Sequence, residues 1–196
     1  MRAQQKMAPI KWSVFRRLVP GIVLGVIFGV VCASALEGPM LRRLFAVFLL
    51  VIAGRMFMLV APKPGRKLPS TPKLSLFALA VGAKSGLFGV GGGMLTVPFL
   101  LRHNFSMRQA TGLSAACTLV IACCGSLGFL IAGWGETSGL VYSSGYIYWP
   151  AFFGISLASI IFAPLGVRVA EYLPIKVAKR LFALLLLIIG LRMLLM

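Results

Sequence analysis

One stretch of the sequence, residues 81–100, combines residue types that could hold a small anion. Clustered glycines allow backbone conformations that other residues resist and expose their N–H groups. Such amide groups, and the N-termini of broken helices, attract anions. Hydroxyl groups in the stretch add donors, a lysine adds positive charge, and a proline near its end would disrupt helical hydrogen bonding again. The candidate substrate-binding residues here are Lys84, Ser85, Gly86, Gly89, Gly91, Gly92, Gly93, Thr96 and Pro98.

The same residues also fit interpretations in which they bind nothing. Small residues at helical spacing let membrane helices pack closely. The stem of Lys84, about ten residues into an apolar segment, could carry its ammonium to a membrane surface by snorkelling. A phosphate-binding P-loop is excluded, because no Gly-Lys-Ser/Thr sequence follows the glycines.

The next segment carries a second polar motif, RQATGLSAACT, at residues 108–118. Thr111, Ser114 and Thr118 are spaced to share one face of a helix. They could line a polar track for substrate, and Thr111 and Ser114 are the candidate binding residues. The alternative is that these hydroxyls bond neighbouring helices or preceding carbonyls of their own helix.

Little else in the sequence points to catalysis or to a cofactor. The four cysteines all lie in apolar segments, and no Cys-x-x-Cys occurs, so neither a zinc site nor a disulfide framework is indicated. His103 is a lone loop histidine, a kind of residue that is most often solvated. No nucleophile–base constellation and no ATP-binding motif is present, so we expect neither an enzyme nor a metal or cofactor site.

The composition excludes a soluble domain. The 196 residues are 60% hydrophobic and only 12% charged, against about 25% charged in a typical soluble domain. A water-soluble globule of this size could not bury so much apolar surface in one core. The net charge of +17 comes from 20 Lys+Arg against 3 Asp+Glu. The net charge is high because acidic residues are scarce, while the number of basic residues is ordinary. This charge therefore does not indicate nucleic-acid binding.

Six hydrophobic segments approach or exceed the roughly 20 residues that a helix needs to cross a bilayer. Backbone groups in lipid must be satisfied within each segment, so these are expected to be helices. The sequence thus predicts an all-α polytopic membrane protein. The six segments are residues 18–36, 44–61, 74–101, 109–134, 147–170 and 181–196.

The distribution of basic residues predicts the orientation of these segments. Lys and Arg concentrate in cytoplasmic loops, which places the basic N-terminus (residues 1–17) and the Pro/Lys-rich linker (62–73) inside. The aromatic loop 134–148 has no Lys or Arg and is expected outside. If segment 74–101 enters the membrane and returns to the same side, every loop except residues 37–43 follows this preference of basic residues for the cytoplasmic side. We therefore expect that segment to be broken, and partly re-entrant, at the glycines of residues 86–93.

An internal repeat joins residues 41–59 to residues 178–196, with nine identical positions at an offset of 137. At that offset, the partner of the glycine-rich segment would lie upstream of Met1. We expect residues 18–61 to be the C-terminal half of a first, incomplete repeat and residues 74–196 to be a complete second one. The two would run in opposite directions, as in the inverted repeats of secondary transporters.

With these motifs the chain resembles the TauE/SafE family of sulfite-exporter-like permeases over about residues 18–196. Its pattern G-x-x-S-G-x-x-G-x-G-G-G-x-x-x-V-P begins at Gly82 and ends at Pro98, and its A-x-G-T-S motif begins at Ala110. Leu113 stands where the family often has Thr, which removes a hydroxyl at that position. The resemblance implies a secondary transporter of the bacterial cytoplasmic membrane that moves sulfur-containing anions, such as sulfite or sulfonates, outward.

The leading functional hypothesis is therefore a permease that exports sulfur-containing or other small anions. Its expected partners are a small anionic substrate and the lipid bilayer, with no nucleic acid. The alternative is a truncated, non-transporting remnant or an assembly subunit of such a permease. A homodimer that completes the site between two chains is a further arrangement consistent with an incomplete first repeat.

Overall fold

The computed structural model of this chain describes residues 12–58, 68–134, 142–172 and 175–195. These residues are helical apart from short connections and one antiparallel pair of two-residue strands, β1 (Ser143–Ser144) and β2 (Ile147–Tyr148). The predicted all-α class is thereby confirmed. The helices are α1 (Trp12–Ala35), α2 (Gly38–Met58), α3 (Thr71–Phe88), α4 (Gly93–Arg102), α5 (Met107–Ala132), α6 (Trp149–Tyr172) and α7 (Ile175–Leu195).

The chain divides into two compact units, one containing α1, α3, α4 and α5 and the other containing α2, α6 and α7. Two helices of the first unit, α1 and α5, are long and apolar enough to cross a membrane. The six-span count and the four-part division of the chain therefore stay predictions. Large apolar side chains such as Phe28, Leu119 and Ile160 are 62%, 68% and 72% exposed. Exposed apolar surface on this scale is expected of helices that face lipid rather than water.

Helices α1 and α3 pack with their backbones in contact. A Cβ atom built at Gly21 would lie 2.6 Å from the Ser75 carbonyl oxygen, and at Gly25 or Gly82 it would lie closer still to a facing carbonyl. Only residues without side chains permit such an approach between membrane helices. The close-packing interpretation therefore describes part of the glycine motif. The glycines in this interface are Gly21, Gly25 and Gly29 on α1 and Gly82 and Gly86 on α3.

Helix α4 runs back along α3. A Cβ atom at Gly92 would lie 3.2 Å from Cγ1 of Val81, while the Phe77 and Phe99 rings stack with their centroids 3.8 Å apart. Residues later in α4 therefore contact residues earlier in α3, so the two helices form an antiparallel hairpin. The predicted break in segment 74–101 is confirmed, with residues 89–92 as its turn. Its re-entrance into a bilayer stays a prediction.

The exposed basic residues in the described part of the first unit gather at one end. Helices α1 and α3 run parallel, since Gly21 faces Ser75 and Gly29 faces Ala83, and α5 also runs parallel to α1. Three helices therefore begin, and α4 ends, at the same end of the unit. The exposed basic residues there are Arg16, Arg17, Lys73, Arg102 and Arg108.

In the second unit, α2 and α7 pack antiparallel. Nε of Arg42 donates a hydrogen bond of 3.1 Å to the Met193 carbonyl, and Gly190 lies against Ala46. Positions that match in the sequence repeat are also buried alike. The matched buried pairs are Ala46 with Ala183, Leu49 with Leu186, and Ala53 with Gly190.

Candidate functional site

The turn between α3 and α4 is built from glycines with distinct roles. Gly89 has the left-handed conformation (φ 64°), and its N–H donates to the Ser85 carbonyl at 2.9 Å, which closes α3. The Gly92 carbonyl accepts from the Thr96 N–H at 3.0 Å and from the Thr96 hydroxyl at 2.8 Å, which opens α4. The turn therefore ends one helix and starts the next within four residues.

The N-terminus of α4 lies at mid-depth in the first unit. A Cβ atom at Gly92 would lie 2.9 Å from Cδ1 of Ile121 and 3.2 Å from Cγ1 of Val81. Ile121 and Val81 stand near the middles of α5 and α3. The ten residues of α4, about 15 Å of helix, fill only the half of the unit that leads to the basic end. The partial positive charge of a helix N-terminus is thus placed in the interior of the unit.

Helix α5 presents hydroxyl side chains to this N-terminus. A Cβ atom at Gly93 would lie 3.3 Å from Oγ of Ser114, and one at Gly91 would lie 3.2 Å from Cγ2 of Thr118. Ser114 is 3% exposed. The face predicted from the spacing of the motif therefore meets the glycines through these two residues.

Three polar side chains are buried among the described residues, and all three belong to the predicted site. They are Ser85, Thr96 and Ser114, which are 2%, 2% and 3% exposed. Oγ of Ser85 has no hydrogen-bond partner within the described part of the chain. Ser85 follows Val81 by one turn, so it lies on the side of α3 that meets Gly92. An unsatisfied buried hydroxyl costs free energy, which makes it a group that a ligand can satisfy.

The ammonium nitrogen of Lys84 is buried. Lys84 follows Phe77 by seven residues and Val81 by three, so it lies on the side of α3 that contacts α4. Snorkelling to a membrane surface would instead expose this nitrogen. Among the basic residues described in the first unit, Lys84 alone lies away from the basic end. The structure places it on the side of α3 that contacts α4. Its part in binding stays a prediction.

Other predicted site residues lie elsewhere. Thr111 is exposed, and its hydroxyl donates to the carbonyls of Met107 (2.9 Å) and Arg108 (3.1 Å), as the back-bonding alternative describes. Gly86 faces Val26 of α1 rather than the turn. Pro98 lies inside α4, which continues to Arg102 because a single missing N–H donor leaves the other hydrogen bonds of the helix in place.

Two features of the site were not singled out from the sequence. The first is the contact of Thr118 with the turn, which required the position of α4. The second is the Gly-x-x-x-Gly-x-x-x-Gly spacing of Gly21, Gly25 and Gly29, a signal that was present in the sequence. Within the described ranges, no three His, Cys, Asp or Glu side chains gather as metal ligands.

Replacing Gly89 with alanine is expected to destabilise the hairpin through its backbone alone. A Cβ atom there meets nothing within 4 Å, but the left-handed conformation costs a non-glycine residue about 1–2 kcal/mol. We expect the melting temperature of the detergent-solubilised protein to fall by about 2–4 °C per kcal/mol. Gly89→Asn is the matched control and should lose less, because Asn tolerates this conformation. An unchanged melting temperature for Gly89→Ala would contradict the strained turn.

Comparison with known proteins gives consistent matches. The family described as "Sulfite exporter TauE/SafE" matches residues 1–193. A probable membrane transporter protein of Haemophilus influenzae is 31% identical over 189 residues, covering 96% of this chain and 72% of that protein. A probable membrane transporter protein of Methanocaldococcus jannaschii is 25% identical over 194 residues, covering 97% and 71%. No solved structure shows a significant match.

Proposed function

We propose, from the premise that this chain belongs to the sulfite exporter TauE/SafE family, that it is a secondary permease of the cytoplasmic membrane. It exports small anions, with sulfur-containing anions such as sulfite as the leading substrates. The observation that carries this proposal is the gathering of all three buried polar residues of the described chain around the N-terminus of a half-length helix at mid-depth.

The proposed site is made of hydrogen-bond donors. The first N–H groups of α4 have no acceptor within their own helix. The hydroxyls of Ser85 and Ser114 lie on the two helices that flank this N-terminus, and Lys84 adds a buried positive charge on the same side of α3. Thr111 is not part of the proposed site, because its hydroxyl is bonded to its own helix.

The electrostatic setting of the proposed site favours an anion over a cation. Residues 12–35 and 71–132, which form the described helices of the first unit, contain no Asp or Glu. A carboxylate close to the turn would repel an anion, and none is available in these helices. The same absence leaves no acid there for a proton relay of the kind that many coupled carriers contain.

Export of an anion needs no intramembrane acid if the membrane potential drives it. A potential of 100 mV, negative inside, supplies about 2.3 kcal/mol for each negative charge that leaves. We propose that the basic end of the first unit faces the cytoplasm, following the preference of Lys and Arg for that side. The half-helix α4 would then run from the centre of the membrane to the cytoplasmic surface.

We also propose that α2 and α7 are equivalent members of an inverted repeat. The matched burial of Ala46 with Ala183 and of Leu49 with Leu186 supports this, as does their antiparallel packing. Equivalent helices packed about a two-fold axis bury equivalent positions, which is the pattern observed. Transporters built from such repeats hold substrate near the bilayer midplane.

The function is tested by sulfite efflux from proteoliposomes that contain the purified chain. With an imposed potential of 100 mV, negative inside, we expect faster efflux than at zero potential. The equilibrium gradient of a singly charged anion should shift about 50-fold. Protein-free liposomes are the control. Efflux that matches the control with sulfite and with an organic sulfonate, at every potential, would refute the proposed function and favour a non-transporting role.

A further inference from the structure

We propose that Thr118 is a substrate-contacting residue that works with Ser114 to favour oxyanions over halides. The inference rests on the proposed function, because it names a further donor of the same site. It commits to an oxyanion with at least two oxygen atoms as the ligand. The contacts of the glycine turn with α5 carry it.

Thr118 and Thr111 lie on the same helix, two turns apart, and differ in what their side chains touch. The Thr111 hydroxyl is committed to the carbonyls of Met107 and Arg108 at 2.9 and 3.1 Å. Thr118 is half-buried and lies against Gly91, with Cγ2 at 3.2 Å and Oγ1 at 3.7 Å from the position of a Cβ atom there. Its methyl group therefore packs on the turn, and its hydroxyl lies at the edge of the turn.

Two donors on α5 thus border the start of α4. Ser114 adjoins Gly93, and Thr118, one turn later, adjoins Gly91. Side chains four residues apart on a helix have Cβ atoms about 5–6 Å apart. The N–H groups of Gly93 and Met94, the first two of α4, have no acceptor within their helix.

A second observation points to a ligand at this place. Oγ of Ser85 is buried without a hydrogen-bond partner among the described residues, on the side of α3 that meets Gly92. A native protein satisfies most buried hydroxyls, so an open one beside a helix N-terminus indicates a partner that binds there. Hydroxyls would then approach such a partner from α3 and from α5.

The spacing of these donors explains the preference for an oxyanion. An anion with several oxygen atoms can accept one hydrogen bond from Ser114 and another from Thr118. A halide offers one acceptor atom, whereas an oxyanion offers a separate oxygen atom to each of these hydroxyls, so the oxyanion gains more from the second hydroxyl. Removing the Thr118 hydroxyl should therefore weaken oxyanion binding more than halide binding.

The test compares transport by full-length variants in proteoliposomes. Thr118→Val keeps the branched shape that packs on Gly91 and removes only the hydroxyl. We expect it to raise the sulfite concentration for half-maximal transport about tenfold or more, the usual effect of losing a hydrogen bond to a charged group. The chloride concentration that half-inhibits sulfite transport should change less than about twofold, because a halide depends less on the Thr118 hydroxyl than an oxyanion does.

Two further variants make the result specific to this hydroxyl. Thr118→Ser retains a donor and should stay within about threefold of wild type, whereas Thr111→Val should stay within about twofold because that hydroxyl serves its own helix. If Thr118→Val is not monodisperse, Thr118→Ala is measured and read in the same way. Wild-type affinity in the variant without the hydroxyl, or an equal loss in Thr111→Val, overturns the role of Thr118. Absence of sulfite transport by wild type overturns the proposed function instead.

Discussion

Replacing Gly25 with alanine should greatly reduce the amount of folded protein in the membrane. A Cβ atom there would lie 2.7 Å from the Ala83 nitrogen, 3.0 Å from the Gly82 Cα and nearer still to the Leu79 carbonyl oxygen. All three are backbone atoms, so no side chain can rotate away, and α1 must separate from α3. Overpacking of this kind costs typically about 1–3 kcal/mol and occasionally more, and we expect the upper part of that range.

The measurement is the yield of monodisperse protein in gel filtration, together with its melting temperature in detergent. Gly54→Ala on α2 is the matched control, because a Cβ atom there meets nothing within 4 Å. This control should fold as well as wild type or slightly better, since alanine is about 1 kcal/mol more favourable than glycine inside a helix. Equal yield and equal melting temperature for Gly25→Ala and Gly54→Ala would show that α1 and α3 do not pack backbone to backbone.

Replacing Lys84 with methionine should abolish most transport while leaving the protein folded. Methionine preserves the length of the apolar stem and removes the ammonium group, whose nitrogen is buried on the side of α3 that contacts α4. A buried charge that meets an anion is screened weakly by water, so its removal is costly for binding. We expect sulfite transport at low substrate concentration to fall about 100-fold, the upper part of the range for a charged hydrogen-bond partner.

Two variants control for the charge and for its position. Lys73→Met removes an exposed lysine from the start of the same helix and should leave transport within about twofold of wild type, because an exposed charge contributes little. Lys84→Arg keeps the charge and should retain part of the activity. Transport by Lys84→Met at the wild-type rate would assign this lysine to helix packing and leave the amides and hydroxyls as the site.

The break in segment 74–101 is the structural feature that the sequence predicted most directly. Glycine is unfavourable inside a helix, and four glycines lie among residues 89–93, so a helix there was expected to end. The return of α4 along α3 did not follow from propensity, because both a kinked single span and a hairpin satisfy the same residues. The stacking of Phe99 on Phe77 and the contact of Gly92 with Val81 are long-range packing, which a local pattern does not specify.

The different roles of the glycines could likewise not be predicted from the local sequence. Gly86 and Gly92 belong to one motif and look equivalent in the sequence. The structure gives Gly86 to the α1 interface and Gly92 to the turn. Which glycine packs against α1 and which one forms the turn depends on the helix that lies opposite it, and that helix is remote in the chain.

By itself, the sequence determined the all-helical class, the break at the glycines and the family. The first two follow from hydrophobic composition and glycine propensity, which act within a few residues, and the family follows from the resemblance of the motifs that begin at Gly82 and Ala110. Only the tertiary structure decided that Thr118, rather than Thr111, meets the turn, and that the exposed basic residues in the described part of the first unit share one end. Helical periodicity puts both threonines on one face of α5 but does not determine which of them lies level with the turn before α4. The height of α4 along α5 is set by packing between distant segments, so it separates two residues that the sequence treats alike.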